Sequence, residues 1–270
     1  MRSSICILLA ETTASFIFPS SQSIHAMRIV SLFVVLLLLA ACGAPKQFRK
    51  LNSEEKSAVK HYRQLIPAKD NHYYVLIMTT QGNMVVKLFD ETPLHRDNFM
   101  SKVQAGFYDS LLFHRVINNF MIQGGDPTSK RATAETPVGS GSAPGQERIP
   151  AELKTDIGIY HKRGALAAAR DNNPEKASSN CQFYIVQRPA WRQSQLDSTI
   201  VQRKLTLNAD QQKLYTTVGG TPHLDGNYTV FGELVIGFDV LDKIATTKTR
   251  PGDRPEADVR MRMFVLRNRK

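Results

Sequence analysis

Arg115 and Gln123 are the residues of this chain whose types and spacing best suit chemistry. They stand in the run Phe113-His114-Arg115-Val116-Ile117-Asn118-Asn119-Phe120-Met121-Ile122-Gln123-Gly124-Gly125-Asp126-Pro127, rich in the β-branched and aromatic residues that favour strands. A period of two puts Phe113, Arg115 and Ile117 on one face, and beyond the Asn118-Asn119 turn it puts Met121 and Gln123 on one face. A guanidinium fork, an amide and a thioether then look into one shallow apolar groove. The guanidinium offers five donors and no acceptor, so the set suits the neutral carbonyl and amide groups of a polypeptide. Taken singly, Arg115 reads more readily as a solvated strand residue above an ordinary core holding Phe120 and Met121. The same alternation turns His114 away from the Arg115 face, as a packing or hydrogen-bonding residue. Gly124-Gly125 lacks the spacing and lysine of a phosphate loop and reads as a backbone turn. Cys181, beside an apolar strand, reads as a small buried residue rather than a nucleophile. No group of His, Cys, Asp and Glu has metal-ligand spacing, so neither metal nor cofactor is expected.

What sets Arg115 apart is the order of the whole run. Phe-His-Arg-Val-Ile followed by Phe-Met-Ile-Gln-Gly-Gly-Asp closely resembles the signature segment of the cyclophilins, a family of peptidyl-prolyl cis/trans isomerases. The resemblance covers residues 72–268, interrupted by one insertion. It implies an enzyme with Arg115 as its catalytic residue and with Phe120, Met121 and Gln123 as substrate contacts. Residues 164–170 resemble the next groove segment, with Ala169 retained and Arg170 where many members have Asn. Residues 178–184 match a further segment and place Gln182 and Tyr184 on one face. Tyr184 stands where Phe is usual and brings a hydroxyl that needs a partner. Residues 221–232 match the segment that closes the pocket; Leu224 is retained, while His223 and Tyr228 occupy positions of Trp and His in the best-known members.

The chemistry implied is selective stabilisation. Rotation about an X-Pro bond faces a barrier of about 18–20 kcal/mol because resonance gives the C–N bond double-bond character. Twisting leaves a lone pair on the proline nitrogen, and a guanidinium that donates to it only in that state lowers the barrier. Gln123 would orient Arg115 and contact a substrate carbonyl, while Phe120, Met121, Tyr184, Leu224 and Tyr228 hold the ring. No proton is transferred, so neither His114 nor His223 is needed as an acid or base.

The elements that must position these residues are mostly strands. Residues 73–80 and 84–89 are β-rich and joined by Gln81-Gly82-Asn83, and residues 164–169, 181–187 and 259–266 read as further strands. Thr92-Pro93 predicts a helix N-terminus with Thr92 as cap, followed by an apolar face of Leu94, Phe99 and Val103; a second helix is predicted at 238–245. Many strands with two helices argue for an antiparallel barrel or sandwich. The resemblance narrows this to a mainly β fold: a closed eight-stranded antiparallel barrel capped by two helices, with substrate on its outer surface. The insertion at about 189–218 carries Trp191, a stripe of Leu196, Ile200 and Leu205, and an N-cap at Asn208, so it is partly helical. It reads either as a substrate-selecting flap or as an inert surface excursion.

Ahead of the domain, Met27-Arg28, the apolar run 29–39 and Ala40-Ala41-Cys42 describe a secretory signal. Residues 1–41 are therefore expected to be a signal peptide, with Met27 as an alternative start. Leu39-Ala40-Ala41-Cys42 resembles the bacterial lipobox, which implies acylation of Cys42 and attachment to a membrane of the bacterial cell envelope. Residues 42–71 read as a spacer in which Asn52-Ser53-Glu54-Glu55 opens a short helix with Val59, Tyr62, Leu65 and Ile66 on one side. That helix could dock on the domain or on a partner. With 270 residues, 42% hydrophobic and 22% charged, the chain belongs with globular rather than disordered proteins. A formal charge of +11 permits acidic partners, but the basic residues are scattered outside the tail and no nucleic-acid-binding motif accompanies them. The expected partners are proline-containing unfolded or extended polypeptides and a membrane reached through lipid, with the chain acting as a monomer.

Overall fold

The structure, a computed structural model, describes residues 50–145 and 148–267, which belong to one compact unit. The signal segment and Cys42 lie outside the described residues. Asn52 accepts a hydrogen bond from Glu55 N and Glu55 accepts one from Asn52 N, both at 2.9 Å, and this capping box opens helix α1, Ser53–Leu65. Its apolar stripe rests on the sheet: Val59 and Ile66 pack with Tyr74, Leu76, Val85, Phe264 and Leu266, while Leu65 faces solvent. Docking on the domain is thus the alternative realised.

Strands β1 (Tyr74–Thr79) and β2 (Gly82–Leu88) form the expected hairpin, followed by helix α2, Pro93–Gln104. Thr92 holds the N-cap position but does not cap: its hydroxyl is buried and has no partner among the described residues. The N–H groups of Leu94 and His95 donate instead to the Glu152 carboxylate, at 3.1 and 3.0 Å. A full negative charge answers the positive end of a helix better than a hydroxyl dipole does. Phe99 and Val103 are buried as expected, whereas Leu94 is 50% exposed.

Strands β3 (Phe113–Ile117) and β4 (Met121–Gly124) pair around the Asn118-Asn119 turn, where Asn119 has a φ of 60°, a left-handed conformation that Asn tolerates. There follow β5 (Arg148–Ile149), β6 (Ala165–Ala168), β7 (Ser178–Ser179) and β8 (Phe183–Val186). The insertion contributes α3, Gln193–Arg203, and α4, Ala209–Thr217, the latter capped by Asn208 accepting from Gln211 N at 2.8 Å. The chain ends its described part with β9 (Val230–Ile236), α5 (Phe238–Ala245), the β10 (Thr249–Arg250) and β11 (Arg254–Pro255) hairpin, and β12 (Met261–Arg267).

One antiparallel sheet runs β12-β1-β2-β9-β6-β8-β4-β3. Alternation sorts its residues between two faces. Leu166, Ala168, Phe183, Ile185 and Ile122 enter the main core beneath α2 and α5, while Ala165, Ala167, Met121, Tyr184 and Val186 belong to a second cluster on the other face. Small alanines on that second face leave room above the sheet. The closed barrel expected is corrected to an open eight-stranded half-barrel. The edge strands β3 and β12 meet only at the seam, through the isolated Leu112–Arg260 bridge and bonds such as Phe113 N to Val259 O at 2.9 Å. Farther along, Val116 N donates to Asp253 O at 2.8 Å. The β10–β11 hairpin therefore occupies the edge of β3 that β12 would need to complete a ladder.

Candidate active site

A groove of about 500 Å³ opens over the alanine-rich face. Nine of the expected site residues line it: Arg115, Phe120, Met121, Gln123, Ala169, Arg170, Tyr184, Leu224 and Tyr228. Gln182 and His223 are outside this lining, and Gln182 lines an adjoining cavity that shares Gln123, Gly139, Ala169 and Arg170 with the groove. The Gln182 amide accepts from Gln123 Nε2 at 3.1 Å and donates to the carbonyls of Gly139 and Gly141 at 3.0 and 2.9 Å, so it fixes both Gln123 and the loop facing it. His223 stacks on the Phe120 ring, centroids 5.8 Å apart and planes 23° from parallel.

His114 is where alternation fails. Phe113 pairs with Gly124 and Arg115 with Gln123, so β3 spends two steps against one of β4 and bulges at His114. The bulge sends Phe113 into the main core with Val116, leaves Arg115 opposite Gln123, and brings His114 into the same groove as Arg115. Burial there pushes its pKa down to about 4, and the Arg115 charge adds to this against the pull of Asp126. His114 is thus neutral near neutral pH, and both its ring nitrogens lack a hydrogen-bond partner among the described residues.

Arg115 is held from an unexpected direction. Its Nε donates to Asp253 Oδ2 at 3.2 Å, whereas the Gln123 amide is bonded to Gln182. Both members of the Arg115–Asp253 pair are nearly half exposed, at 43% and 44%, so the contact orients the guanidinium more than it stabilises the fold. Sequence reasoning missed Asp253 and the walls formed by 134–139 and 250–254; the only signal available was the turn composition of Pro137 to Gly139 and Pro251-Gly252. Four lining residues are arginines and none is acidic.

The floor is aromatic. The Tyr184 hydroxyl, kept protonated by burial, meets His161 Nε2 at 3.0 Å, which supplies the partner it needs. Tyr228 stands edge-on to Tyr184 at 6.0 Å and carries the Arg170 guanidinium 4.7 Å above its ring. Arg170 Nε also donates to Asn227 O at 2.9 Å, which ties the β6 end to the 221–228 loop. Below Gln123, Gly125 has a φ of +95° and lies so close to Cys181 that an added Cβ would stand 2.2 Å from its carbonyl oxygen. The double glycine is a close backbone turn. Asp126 then accepts from Thr128 N at 2.8 Å and from Gly139 N, pinning the opposite wall.

Two other groups have reactive types but closed surroundings. Ser178 Oγ, the His95 ring and Glu152 form a hydrogen-bonded series at 2.9 and 2.7 Å, a nucleophile-like order, yet Ser178 is fully buried and Glu152 is engaged in capping α2. Cys181 is buried, and its thiol pKa is raised by that burial. The groove offers a different chemistry: a guanidinium fork beside an apolar trough, with no general base needed.

Known proteins match this architecture. Residues 74–265 match the family model described as cyclophilin type peptidyl-prolyl cis-trans isomerase/CLD. A protein of Staphylococcus saprophyticus named as a candidate peptidyl-prolyl cis-trans isomerase is 37% identical over 207 residues, covering 74% of this chain and 94% of that relative. A similarly named protein of Staphylococcus haemolyticus is 36% identical, covering 71% and 89%. The crystal structure of a Cryptosporidium parvum cyclophilin type peptidyl-prolyl cis-trans isomerase superposes with a TM-score of 0.54 at 23% identity, over 73% of this chain and 99% of that one. A second structure of that protein, determined in the presence of the dipeptide Ala-Pro, gives 0.53 at 24% identity, over 72% and 99%. With the family model spanning the sheet and the relatives covered almost end to end, the chain belongs to the cyclophilin-type peptidyl-prolyl cis-trans isomerases.

Proposed function

We propose that this enzyme isomerises X-Pro bonds in unfolded or extended polypeptides outside the cytoplasm, as a single chain, with Arg115 stabilising the twisted amide. The observation that carries the reading is the convergence in one groove of Arg115 with Phe120, Met121, Tyr184, Leu224 and Tyr228. The apolar side chains receive the proline ring and exclude water, which strengthens a hydrogen bond from the guanidinium to the pyramidal nitrogen. Gln123, braced by Gln182, contacts a backbone carbonyl, and Ala169 with Arg170 offers the chain an edge to lie along. His223 acts through Phe120. The Ala-Pro dipeptide present with the Cryptosporidium parvum neighbour is of the ligand class proposed here. Exchange NMR or a protease-coupled assay on an X-Pro peptide tests this: Arg115→Ala should lower kcat/KM by about 100-fold, the scale of removing one preorganised donor. Wild type no faster than Arg115→Ala would end the catalytic reading and leave a peptide-binding chaperone or scaffold.

The place of action rests on residues 27–42. Acylation of Cys42 would tether the domain to an envelope membrane through the spacer 43–52 and α1. Cys42→Ser should release the protein from membranes with a mass loss of acyl chains; a variant that stays membrane-bound at unchanged mass refutes the anchor.

A further inference from the structure

The insertion does not line the groove, yet it is joined to the groove's floor by a continuous run of hydrogen bonds through Tyr215, Asp225 and His161, of which Tyr215 and His161 are buried and Asp225 is partly so. Tyr215, on α4, is fully buried and donates its hydroxyl to Asp225 Oδ2 at 2.5 Å. The other oxygen of Asp225 receives His161 N at 2.9 Å and His161 Nδ1 at 3.0 Å. The opposite ring nitrogen, His161 Nε2, meets the Tyr184 hydroxyl at 3.0 Å. The His161 and Tyr184 rings are stacked, 14° from parallel. Asp225 itself follows Leu224 and precedes Tyr228, two groove residues, in the loop that closes the pocket.

The insertion is anchored firmly enough to act through this run. Trp191 Nε1 donates to Gly220 O at 2.7 Å, Trp191 N donates to Tyr215 O at 3.0 Å, and Leu196 is fully buried. One carboxylate therefore gathers a hydroxyl from the insertion, a ring that fixes Tyr184, and the loop that carries Leu224 and Tyr228.

We infer that Tyr215 is a positioning residue through which the insertion sets the shape of the proline pocket, by way of Asp225, His161 and Tyr184. This rests on the groove being the X-Pro site. Tyr215→Phe keeps the ring and removes the hydroxyl. It should raise KM for an X-Pro peptide, or Kd where turnover is absent, by about three- to tenfold, the loss of one hydrogen bond's worth of preorganisation. The kcat should change less than twofold, because Arg115 is untouched. The Tyr184 ring and His161 nitrogen resonances should shift as well, and this readout needs no activity. Tyr184→Phe cuts the far end of the run, so the double variant should bind no worse than the weaker single one. Unmoved Tyr184 and His161 resonances, an unchanged KM or Kd, or additive losses in the double variant would each overturn the inference. Absence of turnover in wild type would instead refute the isomerase reading, and the Kd and NMR arms would still decide the role of Tyr215.

Discussion

Stability should fall as the pH is lowered from about 6.5 toward about 4, and His114 should account for one proton of that fall. His114 is 3% exposed, and burial, helped by Arg115 and Arg254, holds its folded pKa near 4 against about 6.5 in an open chain. Above 6.5 both states are neutral at this site and the stability is fully present. Between the two values the unfolded chain takes up a proton that the folded chain refuses, so stability drops by up to ~1.4 kcal/mol per pH unit. Below about 4 both states are protonated and the contribution is flat. The interval of two to three units corresponds to about 3 kcal/mol, a large part of a typical domain's stability. His95 and His223, also lowered by burial, act in the same direction. The depressed carboxylates Asp126, Glu233 and Asp242 lose their contribution only as the pH falls further, below the open-chain carboxylate range. The window from 6.5 to 4.5 thus belongs to histidines. Urea unfolding midpoints measured across it for wild type and His114→Gln, at constant slope m, isolate the His114 share. Gln cannot titrate, so its curve should be flatter by about 2–3 kcal/mol over the window. Parallel curves would show that His114 is not held neutral and that the bulge does not bury it as described.

Two further perturbations test how the site is held. Asp253→Asn tolerates the left-handed backbone at this position, φ 62°, while removing the charge that meets Arg115. We expect kcat/KM to fall about three- to tenfold with stability changed by less than ~1 kcal/mol, because the pair is half exposed; equal activity would mean that Arg115 is oriented by something else. Glu152→Ala removes the acceptor for Leu94 N, His95 N and His95 Nδ1 together, and should destabilise by about 2–3 kcal/mol in urea titrations. A loss below about 0.5 kcal/mol would refute the capping role.

Much of the fold was legible because its causes are local. The Asn52–Glu55 capping box spans three residues, the Asn118-Asn119 turn joins two adjacent strands, and alternation separates Leu166 and Phe183 from Ala167 and Tyr184 over single steps. The ordered run around Arg115 and the matching segments at 164–170, 178–184 and 221–232 also carry the nine expected groove residues.

The sequence by itself determined which residues are apolar, cationic or turn-forming at each step, and hence most of the strands, the helices and nine of the groove's residues, but not its walls at 134–139 and 250–254. Only the tertiary structure decided what completes them. Arg115 meets Asp253 across 138 residues, Leu94 is capped by Glu152 across 58, and Tyr184 finds His161 across 23. No periodicity encodes such pairs, because chain segments that are far apart choose partners only after the sheet has curved. The bulge at His114 and the open seam between β3 and β12 have the same origin. Each reflects competition for a strand edge, which is settled by the whole set of backbone hydrogen bonds and not by the residues of one strand.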